Sequence, residues 1–402
     1  MRTKPVRAGY LITTLLGALL LLTGGCEPAG TSDRDSGLAV LAQAADNYAQ
    51  AQPGRALVFP RDHGAHPDYR IEWWYLTANL HDAAGESYGA QWTLFRLAVG
   101  APGSPGPRGD TQNNQVYMTH MAMTTPTGHV SFQRYARGGD TGEITRAGVK
   151  AEPFAAWLDD WELRSTGEEW LPLEVKARQA DNAMHLQLRG TAPLVLQGEA
   201  GFSAKHADGG GSYYYSQPFL KVSGQLTIAG EVIPVNGDAW LDREWSSQFL
   251  QREQSGWDWF SLHLESGEKL MLFQVRGKSG QQGAANYLQG NLMAPDGSTT
   301  PLDPGRIQLV PVQKNRVAGR NLPLHWRVSL PQVDRQFEIQ ATIQNQWMAV
   351  DFPYWEGTVT VSGSGPENRG KGYMEPVSYT HLRAHETERL ISYAVFCWKT
   401  GG

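Results

Sequence analysis

The sequence has little of what builds disulfide frameworks or nucleic-acid surfaces. Its 402 residues include two cysteines, Cys26 and Cys397. If Cys26 is modified, Cys397 has no cysteine to pair with, so disulfides contribute nothing to the fold. Lysine and arginine number 35 against 40 acidic residues, the net charge is -5, and no Lys/Arg-rich run occurs. Nucleic acid is therefore not an expected partner.

Several familiar catalytic motifs are missing as well. No G-x-S-x-G elbow occurs, so the sequence offers no serine nucleophile of that kind. HETER lacks the second histidine of a zinc protease, and GPENRGKG has Gly372 where a phosphate-binding loop needs Ser or Thr. DHGAH supplies Asp62, His63 and His66 as conceivable metal ligands, but a polar loop is the favoured interpretation. We expect neither a metal nor a cofactor.

The amino terminus has the pattern of an export signal. A basic start, MRTKPVR, precedes an apolar stretch that is too short to remain as a membrane span. Gly24 and Gly25 directly before Cys26 resemble a bacterial lipobox, in which cleavage leaves the cysteine as a diacylated amino terminus. The pattern predicts a signal peptide over residues 1–25 and a lipid on Cys26.

The segment after the cysteine predicts a flexible tether. Residues 26–56 contain almost no large apolar side chains and cannot bury a core, so the folded part should begin near Leu57. Glu27, rather than Asp, follows the cysteine, and this favours the outer membrane. We expect an exported, membrane-anchored lipoprotein that faces the periplasm.

Alternation of apolar and polar residues with a period of two dominates the rest and is typical of β-strands. Phe260, Leu262 and Leu264 alternate with polar residues, and SGE then turns the chain into KLMLFQVR. GAQWTLFRLAV, AMHLQLRG, LHWRVSL with QFEIQATI, and GTVTVSG fit the same pattern. Helical periodicity is scarce, and only FAAWLDDWEL leaves a short helix open beside a strand. The sequence predicts an all-β protein.

Two similar hairpins suggest that the unit is repeated. EWWYLTANLHDAAGESYGAQWTLFR begins at Glu72 and DWFSLHLESGEKLMLFQVR begins at Asp258, about 185 residues later. This spacing suits an antiparallel barrel of about eight to ten strands, which predicts two tandem barrels over residues 57–236 and 237–375. The alternative is that aromatic hairpins look alike in any β protein.

Six longer stretches together resemble one family. FPRDHGAHPDYRIEWWYLT, QWTLFR, SYYYSQP, GDAWLDREWSSQ, GWDWFSLHLESGEKLML and YWEGTVTVSG are similar to motifs of the AttH family of secreted bacterial proteins, within the wider carotenoid 1,2-hydratase (CrtC) group. The resemblance covers residues 57–375. It implies two lipocalin-like antiparallel β-barrels with a cavity for an apolar ligand. It implies an activity less directly, because fold does not determine function.

GDAWLDREWSSQ holds the candidate catalytic residues, Asp242 and Glu244. Two residues apart in a strand, they share one face with Trp240. Two carboxylates on an apolar face repel, so one should stay protonated near neutral pH. Such an acid can protonate an isoprenoid double bond, while Trp faces stabilise the carbocation that water then captures. The resemblance implies the acid role for Asp242, although hydratases tend to show His, Asn and Gly where this chain continues with Arg243.

A structural role is the alternative for the same motif. Arg243 would cross to the other face and pair with an acid, while Asp242 and Glu244 bind backbone donors or Arg96 and Arg276. The other residues predicted to contact a ligand lie in similar aromatic motifs. They are Trp240, Trp245, Trp74, Glu72, His120 and Trp259.

Two functions follow from these observations. The first is a lipid-anchored protein that binds an extended apolar molecule, isoprenoid or acyl, and hydrates it as a hydro-lyase of the carotenoid 1,2-hydratase type. The second is a non-enzymatic lipid-binding protein, which the resemblance associates with an ABC-type export system. The label of secreted hydrolase, used for some relatives, finds no nucleophile motif here.

The carboxyl terminus departs from the family. After GKGYMEP the chain continues as VSYTHLRAHETERLISYAVFCWKTGG, a basic segment that resembles translated sequencing-adapter sequence. We predict that residues 376–402 are not native to the protein and lie outside the barrels. The alternative is a short native helix.

Overall fold

The computed structural model describes residues 47–99, 114–138, 146–206, 209–247, 254–278 and 286–378. These residues form two large, curled antiparallel sheets and a separate pair of short strands, with no α-helix among them. The prediction of an all-β protein with two tandem lipocalin-like barrels is confirmed. Within the ranges given above, no helix is long and apolar enough to cross a membrane. The predicted signal peptide and Cys26 lie outside the described residues.

The first sheet has thirteen strands. They are β1 Ile71–His81, β2 Ser87–Ala98, β3 Gln115–Thr124, β4 His129–Arg137, β5 Ala147–Ala151, β6 Phe154–Leu158, β7 Trp161–Ser165, β8 Leu173–Gln179, β9 Asn182–Gly190, β10 Val195–Leu196, β11 Phe202–Ala204, β12 Gly211–Ile228 and β13 Glu231–Ser246. Their order is β4-β3-β2-β1-β13-β12-β9-β8-β7-β6-β5, and β10 and β11 both pair with β12.

The second sheet has nine strands, and β21 and β22 form the separate pair. The strands in this part of the chain are β14 Gln254–Leu264, β15 Lys269–Gly277, β16 Tyr287–Met293, β17 Thr299–Leu302, β18 Gln308–Val317, β19 Arg320–Leu330, β20 Arg335–Ala341, β21 Trp347–Met348, β22 Tyr354–Trp355, β23 Gly357–Gly363 and β24 Gly370–Ser378. The order is β17-β16-β15-β14-β24-β23-β20-β19-β18. Short 3₁₀ helices lie at Arg61–His63, Pro304–Arg306, Pro331–Val333 and Pro366–Asn368.

Both sheets follow one plan. In each, the first strand pairs with the second on one side and with the last on the other, so β1 lies between β2 and β13 and β14 lies between β15 and β24. The two similar hairpins of the sequence are β1–β2 and β14–β15, at the same place in each sheet. FAAWLDDWEL forms the hairpin β6–β7, and Asp159 makes its turn at a φ of 54°.

The boundary predicted between residues 236 and 237 is wrong by about ten residues. It falls inside β13, which pairs with β1 from Ile71 to His81 and with β12 on its other edge. The motif GDAWLDREWSS is therefore the last strand of the first sheet. The second sheet begins at Gln254.

The tether predicted over residues 26–56 ends earlier than expected. The amide of Ala49 donates to Asp68 O over 3.0 Å, the amide of Gln52 donates to the Tyr213 hydroxyl over 2.9 Å, and Ala51 is buried. Backbone groups and a small side chain make these contacts, so the absence of large apolar residues did not prevent docking. Residues 26–46 lie outside the described part of the chain.

The last strand extends three residues beyond the predicted end of the second barrel, from residue 375 to Ser378. Strand β24 continues through Pro376 and Val377, which lie opposite Asp258 and Trp257 of β14. Pairing of β24 with β23 stops at Met374, so Pro376 lies where only one neighbouring strand remains and its missing N–H is tolerated. Residues 379–402 lie outside the described part of the chain, and their foreign origin stays a prediction.

Candidate active site

Strand β13 directs its side chains to two different environments. Trp245 and Arg243 lie on the interior face of the first sheet, where Arg243 stacks 3.8 Å from the Trp74 ring. Asp242 and Glu244 point the other way, toward the second sheet. This is the period of two expected for a strand, and it separates a structural charge network from a cavity.

The structural network is centred on Glu72, which is fully buried. Arg243 and Arg96 both donate to its carboxylate, and the amide of His66 adds two hydrogen bonds of 2.9 and 3.1 Å. Burial raises the pKa of Glu72, but the charges of Arg96 and Arg243 outweigh burial and hold it well below its ordinary value. Glu72 is therefore an ionised structural carboxylate.

The cavity lies between the two sheets. Its volume is about 160 Å³. Most of its wall is apolar and much of it aromatic, contributed by both sheets. Its aromatic wall includes Trp73, Phe95, Trp257, Trp259, Phe273 and Phe352. Such a space suits an extended apolar molecule held by a few polar groups.

Asp242 is a buried acid of the cavity that accepts three side-chain hydrogen bonds. It is 2% exposed. It accepts hydrogen bonds from Ser216, from Trp240 Nε1 over 2.7 Å and from the Tyr214 hydroxyl over 2.8 Å. Burial raises the pKa of Asp242 to about 7, because desolvation outweighs these donors. The carboxyl can therefore gain or lose a proton near neutral pH.

Glu244 has a counter-ion in the same cavity. Lys205 Nζ lies 2.7 Å from Glu244 Oε1, and Ser212 also donates to this oxygen. Burial lowers the pKa of Lys205, and Glu244 opposes that effect. The Nζ also lies 4.1 Å from the centre of the Phe273 ring. Glu244 and Lys205 thus form a buried ion pair, and within the described part of the chain Asp242 has no ion pair of its own.

A third carboxyl enters from the last strand of the second sheet. Glu375 lines the cavity and accepts a hydrogen bond of 2.9 Å from Trp257 Nε1. Burial raises the pKa of Glu375 to about 8, and the charges of Glu244 and Asp242 contribute to the rise. Glu375 therefore favours its protonated form at neutral pH.

Two hydrogen-bonded pairs of side chains contribute another part of the wall through Tyr75, His120 and Tyr354. The Tyr75 hydroxyl donates to Glu356 Oε1 over 2.6 Å, and His120 Nδ1 lies 3.0 Å from the Tyr354 hydroxyl. Burial lowers the pKa of His120 to about 3, so the imidazole is neutral, and its Nε2 has no hydrogen-bond partner among the described residues. A bound molecule or water can therefore hydrogen-bond to His120.

The structure brings together part of the predicted set. Asp242, Glu244, His120 and Trp259 line the cavity, and Trp240 lies behind Asp242 as its hydrogen-bond donor. The remaining three residues, Glu72, Trp74 and Trp245, are in the charge network on the opposite face of β1 and β13. Arg243 pairs with an acid there, as the structural alternative predicted, whereas Arg96 and Arg276 pair with Glu72 and Asp258.

Sequence reasoning missed Glu375, Lys205 and Tyr214. The repeat contained a signal for the first of these. Glu375 lies directly opposite Trp259 in β14, as Glu244 lies directly opposite Trp73 in β1, and each Trp follows the acid that opens its hairpin motif. When the closing strands are aligned as well as the hairpins, Glu375 takes the position that corresponds to Glu244.

DHGAH does not reach the cavity. His66 lies between Asp62 and Glu72, at 3.2 and 3.1 Å, and His63 stacks on Trp170 with ring centres 3.7 Å apart. Across the residues that the structure describes, no group of three or more His, Cys, Asp or Glu side chains is arranged to hold a metal.

Comparisons with known proteins agree with this architecture. The AttH-like family profile matches residues 50–379. A crystal structure of an AttH-type protein from Nitrosomonas europaea is 35% identical, with a TM-score of 0.71, covering 83% of this chain and all of that one. Kievitone hydratase from Nectria haematococca has the same fold at 16% identity, with a TM-score of 0.58, covering 83% of this chain and 96% of the other.

No curated protein matches the sequence. The family resemblance seen in the motifs is nevertheless confirmed, because the family profile extends over most of the chain and includes both closing strands. The chain belongs to the AttH-like family.

Proposed function

We propose that this protein binds an unsaturated apolar molecule between its two sheets and adds water to a double bond by acid catalysis. The observation that supports the proposal most strongly is the cavity itself. It combines an aromatic wall with two carboxyls, Asp242 and Glu375, whose pKa values lie near or above neutrality. The fold shared with kievitone hydratase is compatible with this chemistry.

The protons of the site can be assigned. Glu244 and Lys205 compensate each other as an ion pair. Asp242 and Glu375 lie in each other's field, so the first proton they lose belongs to the pair rather than to one residue. At neutral pH the pair holds at least one proton, which is the requirement for a general acid.

The reaction then balances with this one proton. The π electrons of the double bond take it and form a C–H bond, which leaves a carboxylate on the enzyme and a tertiary carbocation on the substrate. Trp73, Trp257 and Trp259 line the cavity. Indole rings can stabilise such a cation without attacking it. Water bonds to the cationic carbon and gives its proton to the carboxylate, which restores the acid.

The test uses compounds with a trisubstituted isoprenoid double bond and graded chain length. Incubation in D₂O and in H₂¹⁸O should add one deuterium at carbon and one ¹⁸O per product molecule, as measured by mass spectrometry. Asp242→Asn and Glu375→Gln should each lower the product rate by about 10²-fold or more while retaining the ligand in native mass spectra. Glu265→Gln, an exposed acid, is the matched control.

A carrier without catalysis is the competing function, and the same aromatic cavity supports it. In that case the panel compounds bind, neither label is incorporated, and both variants retain the ligand unchanged. That outcome overturns the hydratase proposal.

We further propose that lipid on Cys26 holds the protein on the periplasmic side of a membrane, with the outer membrane favoured. The spacing of the basic start, apolar stretch and Gly24-Gly25-Cys26 supports this. Such an anchor would give the cavity access to lipid-soluble molecules. A partnership with an ABC-type exporter is part of the same proposal.

A further inference from the structure

A cluster of cationic side chains lies at the other end of the contact between the sheets. Along β13, Asp238, Trp240 and Asp242 share one face, and the indole of Trp240 separates the acidic cavity from the region around Asp238. On the second sheet, His263 approaches Trp240 with ring centres 5.9 Å apart. The charged groups beyond Trp240 take no part in the proposed hydration.

Three of these groups form a row across the second sheet. His263 of β14 lies directly opposite Lys269 of β15 on one side and Lys371 of β24 on the other. Directly opposed residues of antiparallel strands project to the same face, with their Cβ atoms about 4.5–5.5 Å apart. Two ammonium groups and an imidazole are therefore held side by side.

The first sheet faces this row with one cation and one carboxylate. Lys221 of β12 lies directly opposite Asp238 of β13. Asp238 joins the two sheets, because its Oδ1 lies 2.6 Å from Lys221 Nζ and its Oδ2 lies 3.0 Å from Lys371 Nζ. Both of its oxygens are thereby engaged, and among the described residues Asp238 forms no direct ion pair with Lys269, the other lysine of the row.

The cluster carries more positive than negative charge. Lys221, Lys269 and Lys371 supply three ammonium groups against one carboxylate, that of Asp238. Lys269 is only 8% exposed, and no described residue accepts a hydrogen bond from its Nζ. Burial lowers the pKa of Lys269 to about 8, so it still carries most of its charge at pH 7.

A second polar group in the row also lacks a partner. His263 is 5% exposed, and its Nδ1 forms no hydrogen bond within the described ranges. Buried polar groups of native proteins are nearly always hydrogen-bonded, so the unpaired imidazole nitrogen of His263, beside the ammonium group of Lys269, indicates a ligand that supplies an acceptor. The neighbouring groove carries two further basic side chains, Arg189 and His81.

We propose that the Lys269–His263–Lys371 row, with Lys221, binds a phosphate-type oxyanion. Its oxygens accept hydrogen bonds from Lys269 Nζ and His263 Nδ1, the two deepest donors. Lys371 and Lys221, whose side chains are 39% and 67% exposed, close over the anion from the solvent side. A free anion and the phosphate of a lipid headgroup share this chemistry.

The test measures phosphate binding by calorimetry and by thermal unfolding of the full-length protein, at constant ionic strength with chloride as the exchanged anion. Phosphate should raise the melting temperature. Lys269→Met should weaken phosphate binding at least tenfold, and Lys371→Met should weaken it less. Lys150→Met, an exposed lysine of β5, should bind as the unchanged protein does.

Two arms distinguish the sources of the anion. Dihexanoyl phosphatidic acid, used as monomers, is compared with inorganic phosphate and with dihexanoyl phosphatidylcholine. Binding of inorganic phosphate that is lost in Lys269→Met identifies a free oxyanion as sufficient, whereas binding of phosphatidic acid alone identifies a headgroup.

The proposal is overturned if neither inorganic phosphate nor phosphatidic acid binds, or if Lys150→Met weakens binding as much as Lys269→Met. A lower melting temperature of Lys269→Met in chloride alone would leave these comparisons valid, since affinity is measured on the folded protein.

Discussion

Asp242 and Glu375 come from different sheets, yet the charge on Asp242 helps to raise the pKa of Glu375. Each residue is on the last strand of its sheet, and each closing strand lies beside the first strand of the same sheet. The repeated architecture therefore brings two equivalent strands to one cavity. Burial first, and the neighbouring negative charges second, raise the pKa values of both acids, so that they hold a proton at neutral pH that they would lose in water.

This coupling predicts how stability depends on pH. The folded-state pKa values of both acids lie above their ordinary values, so the folded protein binds more protons than the unfolded chain between about pH 4 and pH 8. We expect these two carboxyls to contribute a decrease in the free energy of unfolding as pH rises through this window, by at most about 1.4 kcal/mol per pH unit and group. Urea unfolding at a series of pH values measures the slope.

The variants isolate the two acids from other titrating groups. Compared with the unchanged protein, Asp242→Asn and Glu375→Gln should each make the slope of the free energy of unfolding against pH less negative or more positive, because an amide has no proton to lose. Glu265→Gln, at the surface, should keep the original slope. Parallel slopes for all four proteins would mean that both carboxyls are ionised in the folded state.

The hydration rate should follow the same acids. We expect the rate with saturating isoprenoid substrate to fall as pH rises from about 7 to 9, since the protonated acid is lost. Initial rates of ¹⁸O incorporation measure this profile. A rate that increases over this range would assign the essential group to a base instead.

Glu72 should behave as a structural carboxylate. Glu72→Gln leaves Arg96 and Arg243 buried without their shared counter-ion, and breaking a buried pair in this way costs about 3–5 kcal/mol. We expect a matching loss in the free energy of unfolding by urea. Glu265→Gln, which weakens only an exposed pair with Arg369, should leave it nearly unchanged.

A ligand measurement separates this role from function. At a temperature where Glu72→Gln is folded, its affinity for a cavity ligand should equal that of the unchanged protein, because Glu72 lies on the face of β1 away from the cavity. An affinity loss larger than tenfold in the folded variant would place Glu72 in the binding site after all.

Local patterns in the sequence were sufficient to predict that the protein is built of strands and hairpins, and that Asp242 and Glu244 share one face of a strand. A period of two determines which residues share a face, and it correctly separated Arg243 from its neighbours. The pattern does not reveal which of the two faces meets the other sheet. For that reason Trp74 and Trp245 were assigned to the ligand site together with Trp240, although they lie on the interior face of the first sheet.

Long-range pairing explains most of what the sequence did not reveal. Lys205 is in a short polar segment, and only the approach of Glu244 places it at the cavity. Glu375 is the last residue of the second predicted barrel, and nothing local in the sequence distinguishes an acid that faces a cavity from one that faces solvent. The boundary error at residue 237 has the same origin, since β13 is assigned to the first sheet by its partners β1 and β12.

Lipidation depends on a single sulfur atom. Cys26→Ser removes the acceptor of the diacylglyceryl group, so we expect the protein to accumulate as an uncleaved precursor without lipid. Radiolabelled palmitate followed by gel electrophoresis and autoradiography measures this. Cys397→Ser is the matched control and should incorporate label normally. Label in the Cys26→Ser protein would show that the lipid is attached elsewhere.

The carboxyl terminus allows two deletions that differ by three residues. A chain that ends after Ser378 keeps the whole of β24, whereas one that ends after Glu375 loses Pro376 and Val377 from the pairing with β14. Val377 is 3% exposed, and its carbonyl accepts a hydrogen bond from Arg276. Burying one valine contributes about 1.5–3 kcal/mol, so the shorter chain should be clearly less stable.

The longer of the two chains tests the foreign origin of the remaining segment. If residues 379–402 are not native, deleting them should leave the melting temperature and ligand affinity unchanged, because the family match and the last strand both end by residue 379. Thermal unfolding should give the same melting temperature for the full-length protein and for the chain that ends after Ser378. The chain that ends after Glu375 should have a lower melting temperature. Unfolding of the chain that ends after Ser378 would instead assign the tail to the native fold, since a segment without packed partners cannot stabilise the sheet that precedes it.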